Sequence, residues 1–113
     1  MEKEYRVKKN TEIEQIIKGK RRIGNQYLTL YYKKSETNHF RLAVSVSKKI
    51  GDAVTRNHEK RRIREIFRQY KTQILPYDIL VVSKKESLII NITELNDSIY
   101  KLLTTYKLIK ETQ

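Results

Sequence analysis

The sequence predicts an α+β fold, a two-layer α-β sandwich whose elements run helix, strand, strand, helix, strand, helix. Three observations carry this. Apolar residues alternate with a period of two over 27–33 and 40–47, they recur with a helical period over 54–71 and 92–106, and a short wholly apolar run, 79–82, separates the two helical stretches. At 113 residues the chain has material for one core, so a single domain over 1–113 is expected.

The first helix is expected over 10–18. Thr11 with Glu14 three residues on reads as a capping box, and Ile13, Ile16 and Ile17 share one face. Lys20, Arg21 and Arg22 then read as a basic loop ended by Gly24 and Asn25. In the strand 27–33, Leu28, Leu30 and Tyr32 oppose Tyr27, Thr29 and Tyr31. Residues 35–38 read as a turn, and in 40–47 Phe40, Leu42, Val44 and Val46 oppose Arg41, Ala43, Ser45 and Ser47. Together these predict an antiparallel hairpin. The helix over 54–71 carries an Ile63, Ile66, Phe67, Tyr70 stripe and is stopped by Pro76. The run 79–82 is apolar on both faces, the mark of a central strand. Asn91, with Glu94 three residues on, caps a last helix whose stripe is Ile92, Leu95, Ile99, Leu102, Leu103 and Tyr106.

If the two long helices cover one sheet face, the other stays open, with the first helix along one edge. Its side chains would be Tyr27, Thr29, Tyr31, Arg41, Ala43, Ser45 and Ser47. Aromatic rings in a positive field form a platform on which unpaired bases stack. Tyrosines are also ordinary strand formers, so this face taken alone does not separate a stacking platform from a solvated surface.

Lys and Arg number 25 against 13 Asp and Glu, a net charge of +12 that self-repels unless a polyanion neutralises it. Residues 1–34 hold 10 basic and 4 acidic side chains and residues 41–71 hold 10 and 3, whereas 72–113 are balanced at 5 and 5. The basic surface therefore belongs to the first two thirds of the chain, and a nucleic acid is the expected partner. On the 54–71 helix, Asn57, Lys60, Arg61, Arg64 and Arg68 occupy one arc beside the apolar stripe. Arginine forks pair with phosphate and stack on bases, so an Arg-rich arc suits RNA.

Other classes are disfavoured. There is no Cys, hence no disulfide or thiolate site. Asp stands only at 52, 78 and 97, too dispersed for a two-metal nuclease centre, and His39 and His58 are isolated. Gly19, Gly24 and Gly51 form no phosphate-loop motif. The longest apolar run is far short of a bilayer span and the N-terminus is too charged for a signal peptide, so a cytoplasmic protein with neither membrane nor small-molecule partners is expected.

Gly51 to Arg64 resembles the signature of the protein subunit of bacterial ribonuclease P. The likeness lies in Ala53-Val54-x-Arg56-Asn57-x-x-Lys60-Arg61-x-x-Arg64, preceded by Ser45-Val46-Ser47-Lys48-Lys49, and extends to Lys8-Lys9-Asn10, the first strand, and the last strand and helix. It implies a left-handed βαβ crossover through the basic helix, similar to domain 2 of ribosomal protein S5, a handedness that physical defaults would not give. It also implies the role of protein subunit in a ribonucleoprotein that removes 5′ leaders from precursor tRNA, with the catalytic RNA holding Mg²⁺. Arg56, Asn57, Lys60, Arg61 and Arg64 would then face that RNA, with Arg68 on the same arc, and Tyr31, Ser45 and Lys49 would lie in a leader-binding cleft on the open face. Ile13 and Ile17 would border the cleft where many relatives carry two phenylalanines, touching bases without stacking. The expected cleft thus comprises Ile13, Ile17, Tyr27, Thr29, Tyr31, Arg41, Ser45, Ser47 and Lys49. A ribosomal or general RNA-binding protein of similar fold is the alternative.

Overall fold

A computed structural model describes residues 2–110. After a 3-10 turn at Lys3–Tyr5, the elements are α1 (Asn10–Lys18), β1 (Arg22–Gly24), β2 (Leu28–Lys34), β3 (Arg41–Val46), α2 (Ala53–Gln69), β4 (Tyr77–Ser83), a second 3-10 turn at Lys85–Ile89, and α3 (Ile92–Thr105). The strands form one sheet in the order β1-β2-β4-β3, with β2 antiparallel to both β1 and β4, and β3 parallel to β4.

This order replaces the expected hairpin, because β4 inserts between β2 and β3. The reason lies in β4 itself. Its Ile79 and Val81 are fully buried on one face and Leu80 is buried on the other, and a strand apolar on both faces gains most where both are covered. The expectation that it is central holds, and it runs longer than the apolar core of its sequence. Residues 35–40 therefore connect two strands that are not neighbours, and α2 is the crossover joining the parallel pair β3 and β4.

The supposed basic loop is partly a strand. Ile23 is buried and pairs with Leu30, while Arg22 and Gly24 flank it, exposed. Turning from β1 into β2 requires Gly24, since a Cβ there would lie 2.9 Å from the Leu28 carbonyl oxygen. Asn25 completes the turn by accepting at its Oδ1 from the N–H groups of Tyr27 (2.8 Å) and Leu28 (3.0 Å).

One sheet face carries the main core. Leu28, Leu30, Leu42, Ile79 and Val81 meet Ile63, Ile66 and Phe67 of α2 and Leu95, Ile99, Leu102 and Leu103 of α3. Both helices are capped as their sequences dictate: Asp52 accepts from Thr55 N–H (2.8 Å), and Asn91 accepts from Glu94 N–H (2.9 Å). Inside this layer Glu59, buried, pairs with Arg62 at 2.8 Å and accepts from the hydroxyls of Ser83 and Ser87. Arg62 also donates to the carbonyls of Ser87 and Ile90, so α2 is tied to the segment after β4.

The opposite face is only half open. α1 lies across β2 and β4 rather than along an edge, and Ile16, fully buried, packs in a second small core with Val7, Ala43 and Leu80. The capping box at Thr11 and Glu14 does not form. Val7 N–H donates to Leu42 O (2.9 Å), which keeps the chain extended along β3, and extended Lys9 becomes the N-cap, leaving Thr11 inside the first turn.

Candidate nucleic-acid interface

Strand register defines the face under α1. Thr29 and Tyr31 on β2, Leu80 and Val82 on β4, and Ala43 and Ser45 on β3 point to one side, because Thr29 pairs with Val82, Val82 with Ser45, Tyr31 with Leu80, and Leu80 with Ala43. α1 covers the Leu80 and Ala43 row, and the next row stays accessible. There Ile13 and Ile17 of α1 overhang a cleft of about 380 Å³ lined by Tyr31, Ser45, Leu80, Val82 and Lys60. Ile17 is 44% exposed, a large apolar side chain held at the mouth. Lys60 reaches this cleft from α2, so the cleft and the basic helix form one continuous surface.

On α2, Arg61 is exposed, Arg56, Lys60 and Arg64 are half-buried, and none of the four makes an ion pair among the described residues. Burial, and secondarily the positive charge of nearby Arg6, holds the Arg64 guanidinium below its ordinary value. The Nε atoms of Arg6 and Arg56 are buried without a partner among the described residues. Asn57 lies exposed on the same helix. Arg68 differs from its neighbours: its guanidinium is held by Glu65 one turn back, which also raises the Arg68 pKa and lowers that of Glu65.

The expected cleft set divides. Ile13, Ile17, Tyr31 and Ser45 converge in the cleft, and half-buried Thr29 lies on the same face one strand pair away. Ser47 and Lys49 sit just beyond β3, exposed, where the Ser47 hydroxyl accepts from Lys49 N–H (3.2 Å) and shapes the turn into α2. Tyr27 is a correction. It precedes β2, so the Asn25 turn and not strand alternation sets its direction, and it packs against the main core, beside Leu102 of α3 and Tyr106 at the end of that helix. Arg41 is another. It does occupy the cleft-side face, but its Nε and Nη2 are engaged in ion pairs: they donate to the two carboxylate oxygens of Asp78 (2.9 and 2.8 Å), and Nη2 also reaches Glu12 of α1 at 2.7 Å. The Asp78 hydrogen bonds, chiefly, push the Arg41 pKa further up. Arg41 therefore clamps α1 onto the sheet.

Sequence reasoning missed Leu80 and Val82 as cleft floor, because a strand apolar on both faces gives no hint of which residues face which layer. It read Arg22 as loop because β1, three residues long, is too short for alternation to register. Among the described residues no three His, Asp or Glu side chains gather into a group able to hold a metal ion. Among them, too, no helix is long and apolar enough to cross a membrane.

Known proteins match this architecture. The family model for Ribonuclease P matches residues 1–107. A ribonuclease P protein component from Macrococcus caseolyticus is 43% identical over 108 residues, covering 95% of this chain and 94% of its own length, and one from Staphylococcus epidermidis is 41% identical with the same coverage. Among solved structures, a Staphylococcus aureus RNase P protein mutant with defective mRNA degradation activity superposes with a TM-score of 0.89 at 38% identity, over 96% of this chain and 92% of its own. The RNase P protein of Thermotoga maritima, in complex with 1-(4-fluorophenyl)-2-thiourea, superposes with a TM-score of 0.81 at 28% identity, over 87% and 96%. The chain belongs to the ribonuclease P protein family, the protein component of the endoribonuclease that processes tRNA.

Proposed function

We propose that this chain binds the catalytic RNA of ribonuclease P through the α2 arc and the 5′ leader of precursor tRNA through the cleft under α1, in a cytoplasmic holoenzyme. The observation that carries the reading is the continuity of the two surfaces: Lys60 belongs to the arc and also lines the cleft with Tyr31, Ser45, Ile13 and Ile17. A strand leaving an RNA docked on α2 meets the cleft without crossing a bare stretch of protein.

Each part has a physical task. Arg56, Lys60, Arg61 and Arg64 replace counterions along the RNA backbone, and the released ions supply affinity at low salt. Tyr31 offers a ring face to an unpaired base, Ile13 and Ile17 close over it with apolar contact, and Ser45 offers a hydroxyl to a sugar or base edge. The protein thereby holds the leader in place, while the Mg²⁺ that supports hydrolysis sits on RNA and substrate, in keeping with the dispersed carboxylates of this chain. The test reconstitutes the chain with ribonuclease P RNA and compares Kd for precursor and mature tRNA, together with 5′-end formation at low Mg²⁺. A gain confined to precursor tRNA is expected. An equal gain for precursor, mature and unrelated RNAs would overturn the reading in favour of a general RNA-binding protein.

A further inference from the structure

The geometry points to a phosphate-binding subsite at the β1 end of the cleft-side face, formed by Arg22 and Lys84 around Thr29, that holds a backbone phosphate in the 5′-distal part of the leader. This rests on the leader reading above and adds to it where the leader goes after the cleft. The register places Gly24, Thr29, Val82 and Ser45 in one row across all four strands, adjacent to the row that α1 covers. With strands 4.7–4.9 Å apart, that row is a track about 14 Å long from β3 to β1. Its β3 end is the cleft. At its β1 end lies a separate hollow of about 370 Å³ lined by Arg22, Ile23, Gly24, Thr29 and Lys84.

The chemistry of the hollow selects an anion. No carboxylate lines it, and Arg22, exposed and paired in register with Tyr31, makes no ion pair among the described residues. Ile23 directs its side chain into the main core and so lends the hollow only backbone. Lys84 is half-buried and fixed by donating from Nζ to Asn25 O, which holds its charge beside the hollow without neutralising it. Gly24 matters as well: a Cβ there would stand 3.5 Å from Thr29 Oγ1, so the glycine leaves that hydroxyl uncovered. A guanidinium fork, an ammonium and a hydroxyl around an open floor match a phosphodiester. The direction follows from packing. α2 lies against β3, so an RNA docked on α2 delivers the leader at the β3 end, and the leader's distal part reaches Arg22.

The test uses holoenzyme with leaders shortened from the 5′ end one nucleotide at a time, comparing wild type with Arg22→Gln and Arg22→Lys. With wild type, affinity should rise in two stages as the leader lengthens. Arg22→Gln should remove only the second stage, weakening binding of the longer leaders about threefold, the worth of one exposed ion pair, and flattening their salt slope by about 0.7. Arg22→Lys should restore most of both, and the melting curves of the three proteins should coincide. If Arg22→Gln instead lowers affinity for the isolated ribonuclease P RNA, the phosphate belongs to that subunit and the assignment is overturned. No change at any leader length also overturns it, while leaving the cleft reading intact. A wild-type protein that gains nothing from any leader would sink the parent reading itself.

Discussion

Tyr31 is half-buried against the small core of Ile16, Ala43 and Leu80 and also lines the cleft, so truncating it to Ala would mix lost packing with lost stacking. Tyr31→Leu keeps apolar volume in that cluster and removes the ring. It should weaken precursor tRNA binding by about 1–3 kcal/mol, the stacking value of one base, while mature tRNA affinity and the melting temperature hold. Equal losses for both RNAs would take Tyr31 out of the leader path. Arg41 is predicted to behave in the opposite way. Arg41→Ala strands Asp78, which is 3% exposed, as an unpaired buried carboxylate. Denaturation should show a loss of about 3 kcal/mol, and adding Asp78→Asn to the same chain should recover part of it. Were Arg41 a leader contact instead, Arg41→Ala would spare stability and cost only precursor affinity.

Among the elements, α3 ends in a closed motif. Lys107 adopts φ 60°, Lys107 N–H donates to Thr104 O (3.3 Å), and Leu108 N–H donates to Leu103 O (2.9 Å), with both leucines buried. The position favours glycine, because a Cβ in the left-handed region costs about 1 kcal/mol. Lys107→Gly should therefore raise the melting temperature by several degrees, less the extra entropy glycine gives the unfolded chain. An unchanged or lower melting temperature would mean that the Lys107 side chain stabilises the fold in some other way. The motif also turns the chain back, so that Leu75 N–H donates to Leu108 O and Lys110 N–H to Gln73 O, closing the end of the main core.

For the whole molecule, charge and core lie on different surfaces. The net +12 is concentrated before residue 72, and the ion pairs within α2 engage Arg62 and Arg68 but leave the rest of the arc free. Replacing Arg61 and Arg64 with Ala should weaken binding to ribonuclease P RNA and reduce the slope of log K against log salt by about 1.8 for two duplex phosphates. Neither residue belongs to the buried stripe of Ile63, Ile66 and Phe67, so the fold should persist by circular dichroism. An unchanged slope would place the RNA elsewhere on the protein.

Local pattern was enough for the long helices and their buried stripes, the Asn91 cap of the last one, the central place of the 79–82 strand, and the segregation of the basic arc from the apolar stripe. Each of these rests on spacing within one element, where 3.6- or 2-residue periodicity and burial coincide. The cleft-side alternation of Thr29, Tyr31, Ala43 and Ser45 was legible for the same reason. Pairing was not. Whether β2 meets β3 or β4 depends on which arrangement covers both faces of β4, a comparison of whole layers that no single strand encodes. The β1 strand, three residues long, exists because β2 offers it an edge. Tyr27 turned to the main core because Asn25 fixed its backbone, and Arg41 was withdrawn from the cleft because Asp78 and Glu12, 37 residues ahead and 29 behind, reach it only in the fold. The sequence by itself determined the elements and the sign of the surface. Tertiary structure decided their order in the sheet and which polar groups remain free, since a charge is available to a ligand only if no closer partner has been folded against it.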